Sequence, residues 1–206
     1  MRAESSDAFW RDDHLRVHSW TVPAPKDDME LFTGQSILTM VHGIVLGGGA
    51  LMTLFASLCA VQILSSSSEP VVLPVKSTRL LQWLLVATAV LLWLAVIGGT
   101  YLVFPPYRAT PPEGITDLSQ YPRSLITSNP QTAWLHSFGM EIKEHVPWIA
   151  AILGTAVASI GFRHGSELLV NRDVKRMVTV MLAIAFLLVA VVALLGVFIN
   201  KVAPVD

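Results

Sequence analysis

Acidic and basic residues are absent from four long runs of this chain, about 35–68, 80–107, 146–162 and 177–200. Each is 17 to 34 residues long, enough or nearly enough to cross a hydrocarbon core of about 30 Å at about 1.5 Å per helical residue. Apolar side chains cover all sides of these segments, as helices in lipid require. The runs do not alternate between apolar and polar positions, which argues against the short strands of a membrane barrel. The pattern predicts an all-α fold, a four-helix transmembrane bundle with spans at about 35–64, 80–104, 142–163 and 177–200.

Between the spans the chain is punctuated by Ser and Pro. The first connection, SSSSEPVVLPVK, is short and flexible, and the third is also short, so consecutive helices are expected to be antiparallel neighbours. The second, about 105–130, opens with FPPYRATPPEG and reads as too rich in proline for helix. A connection of that length is often a docking surface or a functional loop. Residues 1–34 form a polar tail with four Lys or Arg against seven Asp or Glu, and Trp10 and Trp20 as possible anchors. The tail lacks the central apolar run of a signal peptide, so the first span reads as a retained helix. Its composition suits a segment that orders on a neighbouring subunit. The domain plan is thus a tail, 1–34, and a membrane domain, 35–206.

Composition agrees: 53% of the 206 residues are hydrophobic and 14% charged, against about a quarter charged in a soluble domain. Lys76, Arg79, Arg163, Arg172, Lys175 and Arg176 crowd the first and third connections, six of the 14 basic residues. Basic density places those connections in the cytoplasm and both termini on the outer, periplasmic side of an inner (plasma) membrane. The raw count of Lys and Arg favours the other side, and density decides between them.

Chemistry is sparse. The four charge-free runs argue against an ion pump, and there is no HExxH helix, GxSxG elbow or phosphate-cradling glycine loop. The Gly47–Gly49 triplet follows no strand and reads as a packing device. Cys59 is the only cysteine and excludes an internal disulfide, a Cys-x-x-Cys-His haem attachment and a four-cysteine iron–sulfur site. No catalytic residue and no nucleic-acid partner is expected.

Histidine remains. His42 lies about seven residues into the first span, and an unpaired imidazole there is costly. His145, in WLHSFGMEIKEHVPW, enters the third span at the same depth. Glu141 stands one turn before it, placed either to orient the ring or to belong to a solvated turn with Lys143 and Glu144. His136 is nine residues before His145, on the opposite side of an unbroken helix, unless Pro147 breaks it. Gly43, Gly47, Gly98, Gly99 and Gly196 fall at the same end of their helices, leaving room for a planar group between imidazoles.

The four-span plan with His42 and His145 resembles membrane-anchored b-type cytochrome subunits, which hold haem between histidines on transmembrane helices. The resemblance implies one haem b near the outer face, with His42 and His145 as axial ligands and His136 as the substitute for His145. Arg108 and Arg123 are candidate partners for its propionates. It implies electron transfer between quinone and a partner, within a lipid bilayer and beside other membrane-complex subunits. The rivals are a (bacterio)chlorophyll on the same histidines, and a structural subunit that binds no cofactor.

Overall fold

The computed structural model describes residues 33–64, 75–165 and 167–204, all within one compact unit, Phe32–Asp206. The acidic tail, with its expected docking role, and most of the first connection lie outside the described residues.

The described residues form the all-α, four-helix transmembrane bundle. The long helices are α1 (Gly34–Leu64), α2 (Ser77–Tyr107), α4 (Leu135–Arg163) and α6 (Arg172–Val202). Two short ones intervene, α3 (Pro122–Ser128) and α5 (Glu167–Val170). The last three long helices outrun the expected spans at both or one of their ends, because a helix leaving the hydrocarbon can continue through charged residues that water solvates. α4 therefore begins at Leu135 and takes in Glu141, which the expected span from 142 had left out, as well as Lys143 and Glu144. Pro147 neither starts nor breaks α4 but lies inside it, denying the Lys143 carbonyl its helical N–H. Caps mark two starts: Thr33 Oγ1 accepts from the Ser36 N–H, and Asn171 Oδ1 from the N–H groups of Asp173 and Val174.

Contacts between helices fix a ring in which each helix packs on its sequence neighbours and α1 packs on α6. Ser57 and Thr88 share a buried hydroxyl contact of 3.2 Å between α1 and α2. Gln82 Nε2 donates to the Gly161 carbonyl at 3.0 Å and Trp93 Nε1 to Thr155 Oγ1 at 2.8 Å, both between α2 and α4. Gln62 Nε2 donates to Thr179 Oγ1 at 3.0 Å between α1 and α6. With Gly49 against Leu91 and Phe55 beside Phe186 added, one number rises as the other falls along α1–α2, α2–α4 and α1–α6, so these neighbours are antiparallel. Leu54, Leu85, Val157, Val178 and Leu182 fill the centre, all at most 2% exposed. Other large apolar side chains, among them Phe55, Trp83, Ile152 and Leu187, face outward, as a lipid-facing surface demands.

The proline-rich connection departs from expectation. Phe104–Tyr107 completes α2, with Pro105 and Pro106 in the first turn of that segment, where missing N–H groups cost least. α3 starts at Pro122 for the same reason. Its Ile126 is 0% exposed and packs with Tyr107, Leu135, Met140, Ile199 and Ala203 in a second apolar core. The connection is therefore folded back as a cap over one end of the bundle. We call this the cap end, and the end at Leu64, Arg163 and Arg172 the turn end. Ile126→Ala should cost about 2–5 kcal/mol of local stability. Limited proteolysis is expected to cut between residues 108 and 134 faster, with all four long helices still inserted.

Candidate functional site

Near the cap end three helices leave ordinary α winding. Val41–Gly48 of α1, Gly99–Val103 of α2 and Leu135–Met140 of α4 are π-helical, with wider turns. Such winding is rare and often marks functional sites. Each stretch includes glycine, whose missing side chain removes the crowding that a wider turn brings.

Packing across the bundle brings the stretches of α1 and α2 together. His42 lies over Gly98 and Gly99: a Cβ on Gly99 would stand 2.8 Å from His42 Cε1 and 3.2 Å from Nε2. Glycine at 99 is thus required for the ring to lie where it does. The His42 Nδ1 is buried and has no hydrogen-bond partner among the described residues. About 20 helical residues from the turn end, or about 30 Å, bring α1 and α2 to this level.

The expected site residues fall into three places. His145 is at the depth of His42 but points elsewhere: its side chain is 73% exposed, in step with Ile149 and Ile152 on the outward face of α4. Its Nδ1 is 2.8 Å from the Glu141 carbonyl and 3.7 Å from the Glu141 carboxylate. His136 is under the cap, where its Nδ1 is 3.0 Å from the Tyr107 hydroxyl. The charges of Arg123, Glu144, Glu141 and Arg108 all reach that ring, and the Arg108 guanidinium lies 5.3 Å from the centre of the Phe104 ring. Arg108 is thus held on the Phe104 ring, beside the Tyr107 that bonds His136. In this arrangement the rings of His42, His145 and His136 are not brought together.

Lys143 is in step with Ala150, Gly154, Val157 and Gly161, the buried stripe of α4, so its side chain enters the bundle. Its ammonium nitrogen stands 3.6 Å from where a Cβ on Gly196 of α6 would be. The solvated turn that the sequence offered for Lys143 is replaced by a lysine directed inward, because helical phase carries residue 143 onto the buried stripe. Among the described residues no carboxylate lies within ion-pair distance of Lys143. Helical spacing from Gly154 and Gly161 back to 143 was the signal in the sequence for this residue.

No group of three or more His, Cys, Asp or Glu able to hold a metal ion occurs among the described residues. No protein-family model, curated protein or solved structure matches the chain.

Proposed function

We propose that this chain is the membrane subunit of an electron-transfer complex, and that His42 holds its redox ligand at the outer boundary of the membrane. The observation that carries this reading is the buried Nδ1 of His42, unpartnered among the described residues, where the widened turns of α1 and α2 meet. A buried nitrogen without a partner is costly, and a ligand that bonds it removes the cost.

A haem b is one form of that ligand, and it would supply a one-electron redox couple. The described side chains fit one axial imidazole, from His42, and not a facing pair. A chlorin, whose magnesium takes a single axial ligand, fits the same count. His42 holds and orients the group, and the apolar walls around it exclude water. The reduced-minus-oxidised spectrum of detergent-purified protein tests the reading: a reducible Soret band identifies haem, and far-red bands a chlorin.

A second reading, a subunit of a larger membrane complex without a cofactor, is favoured by a specific observation. His145 and His136 already have partners, and the exposed pair of His145 and Glu141 suits a neighbouring subunit.

The cap end faces outward in this proposal, following the basic residues of the turn end. With Cys59 replaced by Ala, a membrane-impermeant thiol reagent on intact cells should label a cysteine placed at Thr110 and leave one at Asn171 unlabelled. The reverse pattern inverts the topology.

A further inference from the structure

Between α2 and α4 the lipid-facing surface carries a groove of about 520 Å³. Two small residues, Ala89 and Ala158, make its floor, each 8% exposed. Larger and more exposed side chains make its sides, Val90 on α2 and Phe162 on α4. Toward the cap end the Trp93 indole bridges the two helices, donating to Thr155 Oγ1 at 2.8 Å, and the groove stops there. Toward the turn end its lining reaches Arg163. An apolar channel and a cation thus lie in sequence along the membrane normal, the order in which a phospholipid presents its chain and its phosphate.

We infer that this groove binds an anionic phospholipid, with one acyl chain between α2 and α4 and the phosphate at Arg163. Length favours a lipid over a partner's transmembrane helix. From Thr155 to Arg163 the helix rises about 12 Å at about 1.5 Å per residue. One leaflet's hydrocarbon is about 15 Å thick, whereas a spanning helix would need a groove of about 30 Å. A second guanidinium stands at the same end. Arg79 precedes Val86 by two helical turns and so lies on the groove face of α2. Gly165 fixes its level: a Cβ there would stand 3.2 Å from Thr78 Cγ2, which puts Arg79 and Arg163 at similar depth. Arginines from two helices suit a phosphate, which accepts their paired, charge-assisted hydrogen bonds. In the proposed topology this end lies in the cytoplasmic leaflet, where anionic lipids concentrate and basic pockets between helices hold their head groups.

Native mass spectrometry of the full chain tests this, after delipidation in detergent and titration with phosphatidylglycerol or phosphatidylcholine of the same acyl chains. One phosphatidylglycerol should bind at least about tenfold more tightly than phosphatidylcholine, the effect of a hydrogen bond between charged groups. Arg163→Gln should remove that preference, and Arg163→Lys, which keeps the charge, should retain it. Ser159→Phe places a ring in the groove from its exposed edge and should weaken both lipids at least about tenfold. Lys201→Gln, at the cap end, should leave both unchanged. Far-UV circular dichroism and monodisperse elution establish that each variant is folded. Equal affinity for the two lipids, or an undiminished preference in Arg163→Gln, overturns the inference. Unchanged binding in Ser159→Phe also overturns it, since the lipid then sits elsewhere. So does glycerol phosphate, which has no chain, binding as tightly as the lipid. A dimer formed at the expense of lipid adducts assigns the groove to a second copy and overturns it as well.

Discussion

If His42 holds a redox ligand as proposed, replacing His42 by alanine should release it, while replacing His145 by alanine should leave it bound. The two histidines share a depth but not a direction. His42 is packed against Gly98 and Gly99 with its Nδ1 buried, and His145 is turned outward and bonded to its own helix. Loss of the one anchoring nitrogen is expected to cut the ligand-to-protein ratio of purified material at least about tenfold. Gly99→Ala is the companion experiment. Its methyl group would stand 2.8 Å from His42 Cε1, so the ring must move and the ligand's spectrum or affinity should shift with the fold intact. His164→Ala serves as the control, because that ring is 2.9 Å from the Glu167 carboxylate at the turn end. Retention in His42→Ala combined with loss in His145→Ala would transfer the site to the outward face of α4.

The fold itself should fail in Gly154→Leu and Gly161→Leu. Both glycines face α2, where a Cβ at 154 would lie 2.6 Å from Leu92 Cδ1 and 3.6 Å from the Ala89 Cα. At 161 a Cβ would lie 2.6 Å from Leu85 Cδ1, beside the Gln82 bond to the Gly161 carbonyl. Leucine tips can rotate, but the Ala89 backbone cannot, so a full leucine at 154 has to push the helices apart. Overpacking of this kind costs about 1–3 kcal/mol per site. In a membrane the effect falls directly on helix association, which depends on close packing and not on hydrophobicity. Unfolding by titrated dodecyl sulfate should show both variants less stable and the double variant without a cooperative transition. Gly43→Leu is the contrast: a Cβ there meets nothing within 4 Å, so stability should be unchanged. Equal stability of Gly154→Leu and wild type would refute the packing argument.

How much of this was legible in the sequence depends on which property is asked for. The absence of charge from long runs reports burial in lipid, which is why four helices and their antiparallel order could be read directly. The same signal is blind to helix ends, since a helix persists after its charges return; α4 was therefore read as starting near 142 and not at Leu135. The helical phase of Lys143 relative to Gly154 and Gly161 lay within the expected span, but its charge drew the reading to a solvated turn. The depth of His42 and His145 could be counted along the chain, but direction depends on winding. The π turns at Val41–Gly48 and Leu135–Met140 change it in ways that spacing does not announce. The pair of Tyr107 and His136 depends on the cap folding back through Ile126, a tertiary event that prolines alone did not suggest.

The division of winding along the bundle has a consequence for how such a chain can vary. Toward the turn end, α2 and α4 interlock leucine into glycine at 85 and 161 and at 92 and 154, and any change of register there undoes the whole. Toward the cap end the wider turns already accommodate an irregular register, so residues can be exchanged, inserted or lost with only local repacking. The stem decides whether the protein exists, and the rim is free to be retuned. Descendants of such a chain could thus acquire new ligands without first having to re-solve membrane insertion.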